Sequence, residues 1–287
     1  MHVFGVVLNV PVVRSSGTIY ILSDGTIDPA TETFQRDRDL YFFTGIIYDE
    51  IVVERSNIII EGNGYMLQGS GSGNGLFLSG TRNVTVRNMN IKGFWNGVYL
   101  HSTSSSVISK SSVVNNAWGI LLSFCLNNNI SRNNITNNIN SGIALDSSSN
   151  NRISENNITN SSYGITLLLS SNNFIYHNLF VFNSYQAYVA GLNSTWDDAY
   201  PSGGNYWSDY NGSDLFSGPY QNETGSDGIG DLPYVVDAYN RDRYPLMYQG
   251  PDINAPTTID YYDGFWHPED FTITLTATAV SYTHLRA

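Results

Sequence analysis

The sequence predicts an all-β protein, a parallel β-helix built from coils of about 22 residues with a cap at each end. Two separate columns of residues recur with one period between residues 83 and 189. Each apolar piece of the repeat is only two to four residues long, β-branched and alternating, which is typical of short strands and not of helices. A propeller blade needs a longer repeat, and a leucine-rich repeat needs a leucine spacing that this sequence lacks.

One column consists of glycines that follow an Asn-Ile-like pair by six or seven residues. They are Gly97, Gly119, Gly142 and Gly164, with steps of 22, 23 and 22 residues. We expect these glycines at turns, where glycine permits a positive φ. The other column is apolar and steps by 23, 23, 23 and 22 residues through Val84, Val107, Ile130, Ile153 and Ile175. Two independent columns with one period indicate a true repeat.

Stacked coils place equivalent residues in register about 4.8 Å apart. The sequence therefore predicts an inward apolar ladder of Ile91, Val113, Ile135, Ile158 and Leu179. Beside it we expect an amide ladder, in which each side chain bonds to the next coil as asparagines do in stacked β-arrays. That ladder would contain Asn90, Asn134 and Asn157.

The repeats also resemble a known family. The phrases Asn-Asn-Ile-Thr-Asn-Asn and Tyr-Gly-Ile-Thr-Leu, with the flanks 17–21 and 200–210, are similar to the β-helix repeats of NosD-like proteins, a group named for a periplasmic copper-binding accessory protein. The resemblance covers about residues 17–248. It implies a right-handed parallel β-helix, usually on secreted or surface-anchored archaeal and bacterial proteins. It does not fix an activity, because the fold hosts lyases, hydrolases, epimerases and binding scaffolds.

The first part of the chain divides into three predicted segments. Residues 1–16 contain an apolar tract, which we interpret as a signal-peptide remnant, with an ordinary first strand as the alternative. Residues 17–55 hold strand-like pieces around a turn at Asp28-Pro29. An open β-helix end exposes an unpaired strand edge, so this stretch is the expected N-terminal cap. Residues 56–190 form the coils, the first of them lengthened by a glycine-rich turn at 69–75.

After the coils the periodicity stops and the composition changes to Trp, Tyr, Gly and Asp. Residues 191–250 are therefore the predicted C-terminal cap, aromatic and acidic. Residues 251–279 alternate like two strands and resemble the opening of an immunoglobulin-like module, cut short of the ~100 residues such a sandwich needs. The last eight residues, 280–287, resemble the translation of a sequencing adaptor and carry no structural prediction.

Composition excludes several classes of protein. A formal charge of −12 argues against nucleic acid as a partner, because a nucleic-acid binder needs a basic stripe. No apolar run approaches the ~20 residues of a membrane span. The single cysteine, Cys125, excludes an intramolecular disulfide. Eight Asn-x-Ser/Thr sequons are compatible with an exported glycoprotein, so we expect an extracellular or cell-surface location.

Catalysis on the coils is disfavoured by the distribution of acids. A β-helix lyase or hydrolase needs clustered carboxylates with Lys or Arg on neighbouring coils. Between residues 83 and 190 the acids are Asp146 and Glu155, at different phases of the coil. The equivalents of Asp146 in adjacent coils are Ser123 and Leu168. We therefore assign no catalytic residue, and a site assembled from acids of the cap stays open.

Two metals deserve comparison. Copper favours His, Met and Cys ligands, and no two histidines here have a ligand-pair spacing, so copper is disfavoured. Residues 223–231 resemble calcium loops of the Asp-x-Asp-x-Asp-Gly-x-Gly-Asp type, although they depart at the first and third positions. The predicted oxygen ligands are Glu223, Asp227, Asp231, Asp237 and Asp242. The alternative is a solvated acidic turn.

Aromatic residues beside the turn glycines form the candidate ligand surface. They are Trp95, Tyr99, Trp118 and Tyr163, and coils in register would place Trp118 and Tyr163 two coils apart, roughly 10 Å. Exposed aromatic rows stack on sugar rings, and the alternative is that these side chains only seal turns. The leading hypothesis is a secreted or surface-attached scaffold that binds a polysaccharide or cell-surface glycan without catalysis. The alternatives are a polysaccharide-active enzyme and a copper-binding accessory protein.

Overall fold

A computed structural model describes residues 17–191 and 193–247 of the protein, together with the backbone of two later strands. Within these ranges the regular structure is all strand. The predictions for residues 1–16 and 280–287 lie outside the described residues. So does the prediction for 251–279, apart from the two later strands, which pair antiparallel as in a hairpin.

The strands of the N-terminal cap and first coil are β1 (Thr18–Ile21), β2 (Ile27–Asp28), β3 (Phe34–Asp37), β4 (Leu40–Phe43), β5 (Glu50–Val53), β6 (Ile58–Glu61), β7 (Met66–Gln68) and β8 (Asn74–Ser79). The next coils contain β9 (Val84–Arg87), β10 (Asn90–Lys92), β11 (Asn96–His101), β12 (Val107–Ser109), β13 (Ser112–Val114), β14 (Trp118–Ser123), β15 (Asn129–Ser131) and β16 (Asn134–Thr136). The last coils contain β17 (Ser141–Asp146), β18 (Arg152–Ser154), β19 (Asn157–Thr159), β20 (Tyr163–Leu168), β21 (Phe174–Tyr176), β22 (Leu179–Val181) and β23 (Tyr185–Ala190). The C-terminal part contains β24 (Tyr206–Trp207), β25 (Phe216–Ser217), β26 (Glu223–Thr224), β27 (Tyr234–Val235), β28 (Arg241–Asp242), β29 (Thr257–Asp260) and β30 (Leu275–Thr278).

Three sheets run along the molecule, and each coil contributes one strand to each. Sheet A has nine strands in the order β2-β1-β5-β8-β11-β14-β17-β20-β23. Sheet B has the order β3-β4-β6-β9-β12-β15-β18-β21, and sheet C has the order β7-β10-β13-β16-β19-β22-β24. Neighbouring coils pair in parallel, which confirms the predicted parallel β-helix.

The inward apolar ladder of sheet C is confirmed except at its last step. Ile91, Val113, Ile135 and Ile158 are in register, and each is at most 1% exposed. The next residue in register is Phe180 and not the predicted Leu179, which pairs with an outward asparagine. The prediction was wrong because it placed Leu179 in the apolar column for being aliphatic like the other members. The alternation of side chains along the strand decides which residue points inward, and here that residue is Phe180.

The apolar column of sheet B also needs correction. The inward residues in register are Val86, Ile108, Ile130, Ile153 and Ile175. The predicted column began with Val84 and Val107, but Val107 pairs with Thr85 and is only half-buried. Counting back by 23 residues gives these positions, whereas the coils here step by 22.

The repeating glycines are required by space and not by backbone conformation. Gly97, Gly119, Gly142 and Gly164 do not have positive φ, so the turn prediction was wrong. A Cβ atom on Gly119 would lie 2.3 Å from the carbonyl oxygen of Gly142 and 2.9 Å from a methyl of Ile135. Each glycine is the second residue of its strand in sheet A, where the chain lies against the core and the next coil.

Positive φ belongs instead to four corner positions in each coil, and most of them are not glycines. In one coil these left-handed residues are Phe124, Asn127, Arg132 and Asn137, each followed by a buried side chain, Cys125, Asn128, Asn133 and Asn138. The left-handed residue turns the chain, and the residue after it points into the stack. Asparagine is frequent at the turning positions because it tolerates this conformation better than most residues.

The buried residues at these corners form the principal amide ladders. One ladder contains Asn133, Asn156, Asn178 and Asn205, all at most 2% exposed. The Asn156 amide nitrogen donates to the Ile130 carbonyl at 2.8 Å and to Asn178 Oδ1 at 2.9 Å, and Asn156 Oδ1 accepts the Asn133 backbone N–H at 3.1 Å. Leaving one of these buried groups unpaired would cost about 1–3 kcal/mol.

The predicted outer amide ladder is present only in part. The Asn157 amide donates to Asn134 Oδ1 at 3.0 Å, as predicted. Asn90 does not join them, because Ser112 occupies the intervening coil and the Asn90 amide donates to the Gly64 carbonyl. The ladder that continues from coil to coil at this corner is the buried one of Asn133, Asn156 and Asn178, whose first two members each lie one residue before a predicted position.

Both ends of the coil stack are covered. At the start, β2 pairs antiparallel with β1, and β3 pairs antiparallel with β4. At the other end, Trp207 stacks on Phe180 with ring centroids 4.6 Å apart, and Trp196 packs against Trp207. Trp196 and Trp207 are each 1% exposed, so they close the apolar core beneath the last coil.

Replacing Ile135 by Asp should destabilise the coil stack by several kcal/mol, because the charge would be buried among apolar side chains without a partner. Thermal unfolding followed by circular dichroism measures the effect. Ile139→Asp is the matched control, because Ile139 is 71% exposed and four residues away. Equal melting temperatures for the two variants would contradict the inward position of Ile135.

Candidate functional site

The outer face of sheet A carries most of the candidate ligand residues. One of its outward columns contains Phe77, Tyr99, Leu121, Ala144, Thr166 and Tyr188. A second outward column, two residues further along each strand, contains Ser79, His101, Ser123, Asp146 and Leu168. A third column, at the beginning of each strand, contains Asn74, Asn96, Trp118, Ser141, Tyr163 and Tyr185. We call this surface, with Trp95 at its edge, the sheet A face.

The sequence-predicted residues lie close to their expected positions. Trp118 and Tyr163 share one column with Ser141 between them, so they are two coils apart, roughly 10 Å. Tyr99 belongs to the neighbouring outward column. Trp95 directly precedes β11 and is 54% exposed. The structure therefore brings all four to one face, and whether they bind a ligand stays a prediction.

Two groups of aromatic rings stack along the axis of the β-helix. The Phe77 and Tyr99 rings are 5.0 Å apart with an interplanar angle of 11°, and the Tyr163 and Tyr185 rings are 5.2 Å apart at 18°. Tyr188 lies 5.7 Å from Tyr163. Phe77, Tyr185 and Tyr188 were missed from the sequence, because they lie in coils where the repeat phrase is degraded. Their alignment with the outward columns of the neighbouring coils is the signal in the sequence that could have identified them.

The middle of the sheet A face is sealed. Ser141, Ala144 and Thr166 belong to outward columns, yet they are 1%, 4% and 6% exposed. Larger neighbouring side chains therefore cover them. The Ser141 and Thr166 hydroxyls are 2.8 Å apart and hydrogen-bonded to each other. A ligand on this face would contact the aromatic side chains and not the strand backbone.

Few polar side chains on this face could take part in a reaction. The Tyr99 hydroxyl lies 3.3 Å from His101 Nδ1, and the His101 ring meets the Phe124 ring edge-on at 5.7 Å. Asp146 accepts a hydrogen bond from the Ser147 hydroxyl. In register, Asp146 lies between Ser123 and Leu168, so it has no carboxylate neighbour in its column.

The five acids predicted to bind calcium are not assembled into a metal site. Among residues 17–191 and 193–247, no group of three or more His, Cys, Asp or Glu side chains could hold a metal ion. Asp227 accepts the Ile229 and Gly218 backbone N–H groups, and Asp231 accepts those of Leu215 and Phe216. Asp237 accepts the N–H groups of Tyr239 and Asn240, while Glu223 is exposed in β26. Asp227 and Asp231 thus hold the 215–218 segment and Asp237 holds the turn at 237–240, so these carboxylates are paired with backbone N–H groups and not with one another.

Asp242 is the exception, because it is completely buried at the end of the core. Its Oδ2 accepts the Asn205 backbone N–H at 2.6 Å and the Trp207 indole N–H at 2.9 Å, and its Oδ1 accepts the Tyr244 N–H at 3.0 Å. Burial raises the pKa of Asp242 to about 7, although these donors oppose the increase. The residue therefore fixes the indole that covers the core, and it is not available to a cation from solvent.

A second buried acid stabilises the same cap. Asp197 is 4% exposed and forms a bidentate pair with Arg243, in which Nη2 donates at 2.6 Å and Nε donates at 2.9 Å. Burial raises the pKa of Asp197, but the Arg243 hydrogen bonds outweigh it, so the pKa lies below its ordinary value. This carboxylate stays ionised through the range in which Asp242 titrates.

The fold and its outer face define a parallel β-helix protein with an aromatic-rich sheet surface. Residues 44–212 match the family described as periplasmic copper-binding protein (NosD), over more than half of the chain. The protein belongs to the NosD family. No curated protein matches the sequence.

Several solved structures are similar to the chain over little more than half of its length. The periplasmic alginate epimerase AlgG is 21% identical with a TM-score of 0.42, over 56% of this chain and 37% of the epimerase. DFA-IIIase from Arthrobacter chlorophenolicus A6, without its lid, is 13% identical with a TM-score of 0.38, over 56% of this chain and 45% of that protein. An alginate lyase from Paenibacillus sp. is 12% identical with a TM-score of 0.23, over 56% of this chain and 91% of the lyase. At these TM-scores the similarities carry no functional argument.

The copper of the family description does not fit the side chains described in this chain. Cys125 is fully buried, its Sγ lies 3.3 Å from the Leu100 carbonyl oxygen, and burial raises the pKa of its thiol to about 11. His177 donates from Nε2 to the Ser202 carbonyl, and His101 lies beside Tyr99. These possible copper ligands are not grouped with one another. The residues that the structure describes contain no helix that is long and apolar enough to cross a membrane.

Asp242 should make the stability of the cap depend on pH. The pKa of Asp242 is higher in the folded protein than its ordinary value of 3.8, so the folded state binds the proton more tightly than the unfolded state does. The resulting contribution to the free energy of unfolding is fully present below pH 3.8 and is lost as the pH rises through about 7. The melting temperature should fall by roughly 5 °C between about pH 5 and about pH 8. Asp242→Asn should remove most of that dependence, as measured by calorimetry. An equally steep decrease in the variant would assign the dependence to other groups.

Proposed function

We propose that the protein is an exported β-helix that binds a polysaccharide or cell-surface glycan along the sheet A face without catalysing a reaction. The observation that carries this proposal is the placement of Trp118 and Tyr163 in one outward column of sheet A and of Tyr99 in the neighbouring column, with the exposed Trp95 at the edge of the same face. The stacked rings of Phe77, Tyr185 and Tyr188 extend the same surface over further coils.

Aromatic side chains suit a sugar polymer because they combine a large apolar area with little conformational freedom to lose on binding. Each contact with one sugar unit would be weak. The coils repeat the contact along the axis, so a polymer could engage several rings at once and gain by effective concentration. The spacing of Trp118 and Tyr163 by two coils matches the scale of a few linked sugar units.

The arrangement of carboxylates favours binding over glycoside hydrolysis. Hydrolases of the usual kind place two carboxyl groups on either side of the scissile bond, about 5–9.5 Å apart. On the sheet A face Asp146 has Ser123 and Leu168 as its column neighbours. A position outside the cytoplasm is supported by the periplasmic description of the family. We propose an extracellular or cell-surface location on that basis.

The double variant Trp118→Ala with Tyr163→Ala should bind polysaccharide about tenfold more weakly than the parent, because each substitution removes an aromatic contact. Affinity electrophoresis in gels that contain soluble polysaccharide measures the retention. The variant should melt close to the parent temperature, since both side chains are partly exposed at the surface.

Tyr220→Ala with Tyr239→Ala is the matched control, because it removes two highly exposed aromatic residues of the C-terminal cap. The control should be retained like the parent protein. Retention that survives the loss of Trp118 and Tyr163 but not the loss of Tyr220 and Tyr239 would place the binding surface on the cap. A parent protein that no polysaccharide retards would contradict glycan binding altogether.

A second candidate function is a polysaccharide-active enzyme, and the Tyr99–His101 pair favours it. A hydroxyl and an imidazole 3.3 Å apart could act as a general acid and base on a sugar bound to the same face. Proton abstraction beside a uronate carboxyl group is the reaction class that such a pair could serve. Both functions would use the sheet A face. They differ in whether the bound polysaccharide is chemically modified.

Incubation with alginate and with polygalacturonate separates the two functions, because elimination creates unsaturated ends that absorb ultraviolet light. The binding function predicts no product from the parent protein. Steady product release that His101→Gln lowers at least 100-fold would establish the enzymatic function instead. Product formation that persists in that variant would come from a contaminating enzyme or from a different site.

A further inference from the structure

A depression of about 400 Å³ lies at the corner where the chain passes from sheet C to sheet A. It is lined by eight residues, which include Asn137, Asn160, Phe182 and Ser184. None of these side chains is charged, and the depression lies directly before β20 and β23, which carry Tyr163 and Tyr185. We call it the corner depression.

Three of its residues occupy one corner column on successive coils. Asn137, Asn160 and Phe182 all have left-handed backbone conformations, with φ of 56°, 53° and 55°. Their neighbours Asn138, Ser161 and Asn183 turn into the buried ladder, so the left-handed residues point out of the stack. The column therefore presents two carboxamides and then one aromatic ring along the axis of the β-helix, with neighbouring positions about 4.8 Å apart.

The two carboxamides have unused hydrogen-bonding capacity. In the part of the chain that the structure describes, the side chains of Asn137 and Asn160 make no hydrogen bond, and neither does the Ser184 hydroxyl. Other asparagines of this molecule bond to the next coil, as Asn133 and Asn156 do. Amides that can both donate and accept are suited to the hydroxyl groups of a sugar.

Phe182 supplies an apolar surface at a position that is unfavourable for it. The side chain is 75% exposed and has no ring partner among the described aromatic residues. A left-handed conformation is rare for a bulky residue, and the equivalent residues of the three preceding coils are asparagines. Neither burial nor backbone preference accounts for phenylalanine here, whereas stacking with a ligand would.

We propose that the corner depression is a subsite for one neutral sugar unit, with Phe182 stacking on the ring and Asn137 and Asn160 bonding its hydroxyl groups. The proposal rests on the glycan-binding function proposed above and specifies its ligand. The absence of a charged residue from the lining favours a neutral glycan over a uronan. The chain would leave the depression over Tyr163 and Tyr185 and continue along the sheet A face.

Phe182→Gly tests the stacking contact without straining the backbone, since glycine accepts positive φ. The parent and the variants are compared by affinity electrophoresis in galactomannan, in hydroxyethyl cellulose and in alginate. We expect the parent to be retarded by a neutral polysaccharide, and Phe182→Gly to bind it about tenfold more weakly. Asn137→Gly with Asn160→Gly should weaken binding by a similar factor.

Leu169→Gly is the matched control. Leu169 is also left-handed, with φ of 48°, and is 77% exposed, but it lies at the corner between sheets A and B. The control should bind like the parent. Phe182→Gly and Leu169→Gly should each melt at or above the parent temperature, because glycine relieves the backbone strain of a bulky left-handed residue.

Each other outcome has a definite meaning. Binding that Trp118→Ala weakens and Phe182→Gly does not would overturn the subsite and leave the glycan-binding function in place. Retardation by alginate alone would overturn the neutral-sugar assignment. A parent protein that migrates freely in all three gels would overturn the subsite together with the proposed function.

Discussion

The buried hydrogen-bond ladders at the corners are the interaction on which the structure depends. At each corner a left-handed residue turns the chain, and the next residue points inward and bonds to its equivalent one coil away. A buried amide that loses its partners costs about 1–3 kcal/mol, so every coil must stack in register with its neighbours. The apolar columns then fill the interior between the three sheets.

Register at the corners also determines what the surface can do. Because equivalent residues recur about every 4.8 Å, a substitution in one coil changes one element of an outward row. On sheet A these rows carry stacked aromatic rings in the earlier and later coils, and at the corner before it they pass from carboxamides to Phe182. The scaffold is therefore separate from the residues that would select a ligand, which is consistent with one fold serving several functions.

The period alone was sufficient to predict the fold, the stacking of Ile135 and the common face of Trp118 and Tyr163. Assignments that needed the phase within a strand were less secure, since Leu179 and Phe180 are both apolar and only the pairing distinguishes them. The acids of the cap could not be assigned from spacing. Their roles depend on which backbone N–H groups approach them, and that is decided by loops without a repeat.

The most direct test of this account is the melting temperature of Asn156→Asp compared with that of Asn160→Asp. Asn156 donates from its amide to three acceptors, which a carboxylate would repel. Asn160 is exposed and bonds to nothing through its side chain among the described residues. The ladder account predicts that Asn156→Asp lowers the melting temperature by roughly 5–10 °C while Asn160→Asp leaves it unchanged. Equal melting temperatures for both variants would contradict it.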